Sequence, residues 1–434
     1  MKSKKLMSIL LSVLMLVAPM FTLQTQAGEI GDCVASVSSM QAYQNALDEL
    51  MVEYNVSGVA YVTHNGNVLC QSASGMQNTA ENKKITINTL FPIGSISKQF
   101  CAASILLLQE QGKLSLDDTL DKYFPEYTIG KDITIQNLLN MRSGIRDHVT
   151  VDTQYKGHEI PTEQYTLSFN ATQEENQKVI LDWLFTQNLK YAPGKTFSYS
   201  NSNFLLLSLI VEKVSGMEYS DFIKVNIFAP LGMTNSGIYE ELVDSPDLAE
   251  HSYPDGILPT DPYYLGLAQG AGDLVSNAKD MDKWMTSLSD GSLLSEESYN
   301  EMTTSYDYYG CGIQVIPEIG QLFHNGAAET YESIMMTYPK KNLNIFIVTN
   351  DMESLEYSLM YLAQDIDEEI NTDIMLGDVD GDSEVSIIDA TAIQLHVAQR
   401  KQLTNEQIQY GDTDGDEVIS VLDATEIQMF IAKR

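Results

Sequence analysis

Cysteine is scarce in this chain. Its four copies in 434 residues, Cys33, Cys70, Cys101 and Cys311, are too few and too widely spaced for a disulfide-knit scaffold or for zinc, whose ligands cluster at short spacings. Buried thiols are the expectation. Bases are scarce too: 25 Lys and Arg face 60 Asp and Glu, a formal net charge of −35, which repels phosphate backbones and excludes nucleic-acid binding. No long apolar run follows residue 23, so no later segment is expected to span a membrane. The nucleophile-elbow pattern Gly-x-Ser-x-Gly does not occur, which removes the signature of an α/β-hydrolase. What is present is a globular balance, 44% apolar and 20% charged, which excludes a disordered or fibrous chain.

The N-terminus differs in kind. Lys2, Lys4 and Lys5 precede the apolar run Leu6 to Leu23, and Thr25-Gln26-Ala27 ends it. Residues 1–27 therefore read as a secretory signal peptide, and the mature chain as extracellular. An uncleaved membrane anchor is the alternative, disfavoured by Pro19 and the small-residue exit.

At 434 residues more than one module is expected. Shifting the sequence by 34 residues superposes Asp378–Arg400 on Asp412–Arg434 with 12 of 23 positions identical, a duplicated unit that marks a separate C-terminal module. Leu355, Leu359, Leu362, Ile366 and Ile370 recur at helical spacing, so residues 352–370 read as the last helix of the preceding domain. The boundary is placed at 372, giving domains 28–372 and 373–434. In the first, a helix around Val37 to Leu50 is followed by strands at 59–63 and 68–71 around Asn65-Gly66. Strands at 313–316, 321–324, 333–338 and 344–348 close it. The fold class is α/β: one antiparallel sheet built from both ends of the domain, flanking helices, and a helical insertion between.

Ile93-Gly94-Ser95-Ile96-Ser97-Lys98 runs into Phe100, Ala102, Ala103, Ile105, Leu106 and Leu107, a helix apolar on nearly all sides and therefore buried. Ser95 and Lys98, three apart, share a face. A lysine whose pKa falls on burial can take the hydroxyl proton of such a serine. Composition alone yields about two Ser-x-x-Lys matches by chance, and Ser276-Asn277-Ala278-Lys279 is the second. It precedes an amphipathic run, so Ser276 reads as an N-cap and Lys279 as solvent-facing.

On these residues the chain resembles the serine β-lactamase-like family of class C β-lactamases, serine DD-peptidases and related esterases. The likeness spans most of residues 36–370, through Phe91–Pro125, Ile133–Gly144 and Phe197–Gly216. It implies a Tyr-x-Asn motif at Tyr199-Ser200-Asn201 and a Lys-or-His-x-Gly motif at His324-Asn325-Gly326. Tyr43-Gln44-Asn45 and His64-Asn65-Gly66 match the short patterns without the flanking sequence and read as structural. By this resemblance Ser95 attacks an acyl carbon, Lys98 and Tyr199 relay its proton in an order left open, and Asn201 holds the substrate. The backbone N–H groups of Ser95 and Ala327 form the oxyanion hole, and Gly326 lets substrate approach. His324, expected to meet substrate as a neutral donor titrating near pH 6 to 7, favours a peptidase or esterase over an efficient β-lactamase. Glu329 would repel an anionic substrate. The competing class is a catalytically inactive β-lactamase-like binding protein. His148, His158 and His251 read as solvated loop residues, and Asn170-Ala171-Thr172 as a lone glycosylation sequon.

The repeated loops place Asp378, Asp380, Asp382, Glu384, Ser386 and Asp389, and again Asp412, Asp414, Asp416, Val418, Ser420 and Asp423, at positions 1, 3, 5, 7, 9 and 12. Glu384 and Val418 offer backbone carbonyls. Each loop is an EF-hand-like site for one Ca²⁺, two in all. Gly381 and Gly415 at position 4, and Asp at position 12, depart from the EF-hand rule. The pair resembles an all-α type I dockerin, the module that plugs enzymes into cohesin domains of a cellulosome scaffold. The resemblance assigns cohesin choice to Ile387-Ile388 and Val421-Leu422, apolar residues that suggest a dry interface. The whole reads as a secreted, scaffold-borne serine hydrolase for an ester, a peptide or a β-lactam, tilted by the dockerin towards wall polymers.

Overall fold

The computed structural model describes residues 38–64, 66–149, 171–250, 267–328, 330–351, 355, 358–371, 377–380, 385–413 and 418–432. The signal peptide, Cys33, His158, Asn170, His251, Glu329, Asp382, Glu384, Asp414, Asp416 and the boundary at 372 lie outside the described residues.

After helix α1 (Ser38–Glu53) come strands β1 (Gly58–His64) and β2 (Asn67–Ser74). The remaining strands of the main sheet are β3 (Gln314–Ile316), β4 (Gln321–Ala328), β5 (Tyr331–Tyr338) and β6 (Leu343–Thr349). Their order is β2-β1-β6-β5-β4-β3, with every neighbouring pair antiparallel. The sheet is the one expected, and β4 runs four residues further than its apolar pattern indicated, through His324 and Ala327.

Alternation along the strands builds two cores, because successive side chains point to opposite faces. Ala60, Val62, Ile345 and Ile347 pack with Leu47 and Met51 of α1 and with Leu359, Leu362 and Ile366 of α5 (Leu359–Asn371). Val59, Tyr61, Phe346 and Val348 face the other way, onto the helical layer. Helix α5 starts at 359, later than the apolar spacing suggested, since the Ser358 hydroxyl accepts from the Met360 N–H at 3.2 Å and opens the first turn there.

At the centre of the helical layer is α2 (Ser97–Glu110), buried from Ser97 to Leu106. Phe100 stacks on Trp284 with ring centres 4.2 Å apart, and the Trp284 indole N–H donates to Gln99 at 2.7 Å. These contacts tie α2 to α4 (Ala278–Asp290), and α3 (Asn201–Ser215), buried from Ser202 to Val211, packs in the same core. The cap of α4 is Asn277, whose side chain accepts from the Asp280 N–H. Ser276 instead ends a short strand and bonds Ser236 at 2.8 Å, which corrects its reading as the N-cap; Lys279 is exposed as expected. Cys70, Cys101 and Cys311 are free and buried. Among the described residues no helix is long and apolar enough to cross a membrane.

In the C-terminal repeat, α6 (Ile387–Val397) and α8 (Val421–Ala432) follow the two loops, with a short α7 (Asn405–Gly411) between. Val379, Ala390, Ile393, Leu403, Ala424 and Ile427 form its core.

Candidate active site

Ser95 sits in a 3₁₀ turn, Gly94–Ile96, immediately before α2. Lys98 follows three residues later in the first turn of α2, one helical turn on, so the two side chains share a face. The Ser97 hydroxyl fixes the turn by donating to the Gly94 carbonyl at 2.7 Å and accepting from the Leu274 N–H at 3.1 Å. Two glycines let β4 approach. A Cβ on Gly94, whose φ is +51°, would lie 2.6 Å from the Ala327 nitrogen, and one on Gly326 would lie 2.0 Å from the Ile93 carbonyl oxygen. The Ser333 hydroxyl donates to that same carbonyl at 2.8 Å. Ser95 and Ala327 are therefore brought together by backbone contact, and Ala327 is exposed.

Lys98 is fully enclosed. Its Nζ lies 2.9 Å from Ser95 Oγ, 2.8 Å from Asn201 Oδ1 and 2.6 Å from the Ala271 carbonyl oxygen. Burial pushes its pKa down to about 7, against the opposing pull of Asp147, Cys101 and Asp273. The Tyr199 ring, half-buried just before α3, has its centre 4.9 Å from Nζ. A hydroxyl and an amine whose pKa is lowered to about 7 thus meet beside the Tyr199 ring, an arrangement able to activate a serine for attack on an acyl carbon.

His324 is buried beside this cluster, its ring centre 6.4 Å from that of Tyr199. Its Nδ1 lies 2.6 Å from the Asn325 carbonyl oxygen and its Nε2 lies 3.2 Å from Tyr309 Oη. Burial, and then the neighbouring Lys98, push its pKa down to about 3. The expectation of a substrate-facing imidazole titrating near 6 to 7 is corrected accordingly: the ring is neutral at any pH near 7, and both nitrogens are taken. His148 is corrected in the same sense. It is fully buried, with Nε2 2.7 Å from the Leu267 carbonyl oxygen and Nδ1 2.9 Å from Ser202 Oγ.

Three contributors escaped sequence reasoning. Asp147, buried, accepts from Asn201 Nδ2 at 3.0 Å. Ala271 reaches Lys98 through its carbonyl, on a turn closed by the Gly270 N–H donating to Asp273 at 3.1 Å. Tyr309 backs His324. Each acts through a backbone atom or a loop side chain without periodicity; the glycine-punctuated Tyr309-Gly310-Cys311-Gly312 was the one visible signal, and a Cβ on Gly312 would lie 2.6 Å from the Lys98 carbonyl oxygen. The decoys are elsewhere: Tyr43 and Asn45 lie on α1, and His64 ends β1.

In the repeat, carboxylate oxygens of Asp378, Asp380 and Asp389 lie within 4.8 Å of one another, and acceptor-only oxygens so close suit a hard divalent cation. The Asp389 carboxylate accepts from the Val379 and Asp380 N–H groups at 2.7 and 3.0 Å, and Asp423 repeats this on Thr413 at 2.9 Å. Ser386 and Ser420 accept from the second helical N–H of α6 and α8 at 3.1 and 2.9 Å.

Residues 43–365 match the family described as Beta-lactamase, and residues 376–432 the Dockerin type I domain. PbpX of Bacillus subtilis (strain 168), a penicillin-binding protein by name, is 30% identical over 329 residues, 74% of this chain and 76% of its own. The crystal structure of a penicillin binding protein from Bacillus halodurans is similar with a TM-score of 0.63 at 24% identity, over 75% of this chain and 99% of that one. D-amino acid amidase from Ochrobactrum anthropi SV3, complexed with L-phenylalanine amide, gives 0.61 at 24%, over 76% and 98%.

Proposed function

The chain belongs to the beta-lactamase family, is a serine hydrolase of its penicillin-binding-protein-like branch and carries a type I dockerin domain; from that premise we propose that Ser95 is its nucleophile and Lys98 the base that activates it. The observation that carries this reading is the 2.9 Å contact between Ser95 Oγ and a fully buried Lys98 amine. With a pKa near 7 the amine is free to accept the hydroxyl proton under mildly alkaline conditions. Tyr199, on the same side, hands the proton to the leaving group. The N–H groups of Ser95 and Ala327 receive the developing oxyanion, a term of about 3 kcal/mol per donor in comparable sites. Asn201 and Gly326 border the space that the acyl group enters, and His324 supports the β4 backbone there.

The substrate is an ester or amide whose acyl part is uncharged. Among the described residues Lys98 is the one cation whose contacts place it in the cluster, and its role in proton transfer favours a neutral acyl group beside it. The names of its relatives, for penicillin binding and for amide hydrolysis, belong to the same acyl-enzyme chemistry. The intact Ser95–Lys98 contact speaks against an inactive binding protein. Asp378, Asp380 and Asp389, with their repeat counterparts, hold Ca²⁺, whose charge draws each loop together. The dockerin then seats on a cohesin, outside the cell, with the N-terminal 27 residues removed on export.

The test is labelling with a fluorophosphonate, followed by turnover of an aryl ester, a D-Ala-D-Ala peptide and a chromogenic cephalosporin. The label should map to Ser95 and vanish in Ser95→Ala, with the neutral ester turned over fastest. A label on any other serine would remove the assignment.

A further inference from the structure

The side chain of Asn201 has an oxygen that only accepts and a nitrogen that only donates. Which of them faces Lys98 decides what Lys98 is able to do. Nδ2 lies 3.0 and 3.3 Å from the two carboxylate oxygens of Asp147, and Oδ1 lies 2.8 Å from Lys98 Nζ. An ionised carboxylate has no proton to give, so only the nitrogen of the amide can face it. Asp147 is itself held in place, since its Oδ1 accepts from the Val149 N–H at 3.0 Å. The other constant neighbour of Lys98, the Ala271 carbonyl oxygen at 2.6 Å, also only accepts.

A neutral amine has two N–H groups and one lone pair. Asn201 Oδ1 and the Ala271 oxygen take the two N–H groups, which leaves the lone pair for the remaining neighbour, the Ser95 hydroxyl. Were the amide turned over, its nitrogen would donate to that lone pair and occupy the base.

We propose that Asp147 is a positioning residue of the acyl-transfer site: it holds the Asn201 amide with its oxygen towards Lys98 and so directs the Lys98 lone pair at Ser95. This rests on reading Ser95 and Lys98 as nucleophile and base. A second consequence is electrostatic. The groups that face Lys98 are Asp147, Asp273 and Cys101, which favour its charged form, the rings of Tyr199 and Phe204, and the buried imidazoles of His324 and His148. Removing the Asp147 charge therefore makes Lys98 easier to deprotonate.

The experiment is a double-mutant cycle on the full chain with an aryl ester, reading kcat, KM and the pH profile for Asp147→Asn, Asn201→Ala and the pair. Asp147→Asn should lower kcat by about 10- to 100-fold, the loss found when a partner that orients a metal ligand is removed, taken as the scale for an orienting contact. KM should change little, and the acid limb should move to lower pH. In the Asn201→Ala background the same change should cost less than about twofold, because residues that act through one another are not additive. Equal losses in both backgrounds, or an unmoved acid limb, would show that Asp147 is structural only. If Asp147→Asn does not fold, Asp147→Glu keeps the charge: it should lower kcat while leaving the limb in place, and a shifted limb would overturn the electrostatic part. Ser95→Ala and Lys98→Arg run alongside. Near-parental activity in either would fell the nucleophile and base assignment itself, an outcome distinct from a failed cycle.

Discussion

Tyr309 and His324 face each other 3.2 Å apart, Oη to Nε2, with both side chains closed off from solvent. Because Nδ1 of the same imidazole meets the Asn325 carbonyl oxygen, its proton sits on Nδ1, and Nε2 accepts the Tyr309 hydroxyl. The histidine of the third motif is thereby a strut behind the strand edge and has no free donor for substrate.

The first prediction concerns pH and Lys98. As its pKa is pushed down to about 7, kcat/KM for a neutral ester should rise with pH through an acid limb near 7 and level off above it. Lys98→Arg, which stays protonated at any accessible pH, should cost at least about 100-fold and abolish the limb. A limb of the same position in Lys98→Arg would assign the titration to another group.

A second expectation is acid lability rooted in His324. Its folded pKa of about 3 lies below the ordinary 6.5, so the stability it contributes is complete above pH 6.5 and drains away as pH falls towards 3. At pH 5 the loss is about 2 kcal/mol. His64, held down to about 4, acts in the same direction. Urea unfolding at pH 7 and pH 5 should show a smaller drop in His324→Gln than in the parent chain; equal drops would mean that His324 is not held neutral.

Gly326 offers a third measurement. With a Cβ placed 2.0 Å from the Ile93 carbonyl oxygen and 2.5 Å from Ser333 Oγ, Gly326→Ala should force β4 off the Ser95 turn. It should lower stability by about 1 to 3 kcal/mol, the usual cost of overpacking. Acylation by a fluorophosphonate should slow as well, and a variant with parental acylation rate would show that the β4 approach does not shape the site.

The last prediction separates the modules. Ten of the thirteen acids after residue 372 fall in the two 12-residue loops, and their mutual repulsion opposes folding until Ca²⁺ offsets it. EGTA, or Asp378→Ala combined with Asp412→Ala, should unfold residues 373–434 and abolish cohesin binding while ester hydrolysis continues. Loss of hydrolysis in EGTA from a chain ending at residue 372, restored by Ca²⁺, would place the metal in the hydrolase domain instead.

The sheet and the central helix were legible because their apolar patterns are strict: Val59 to Thr63 and Asn344 to Val348 could hardly be anything but buried strands. Ser95 and Lys98 were legible from their spacing within a run too apolar to be a surface helix. Asp147, Ala271 and Tyr309 were not, since a loop carboxylate, a main-chain carbonyl and a tyrosine on a glycine-rich turn leave no periodic trace. The same holds for His148 and His324, polar by type, whose burial is decided by partners distant in sequence such as Leu267 and Tyr309.

The antiparallel pairing of Gly58 with Thr349 sets the order of assembly during synthesis. The first strand to leave the ribosome waits for nearly the last, since β1 lies between β2 and β6 and only β2 is adjacent in sequence. Contacts between such distant segments form slowly. The turn carrying Ser95 is made early and β4 late, so a nascent chain shorter than about 330 residues has the hydroxyl without the complete strand that lies against that turn. Truncated products that end before β4 should therefore fail to react with a fluorophosphonate.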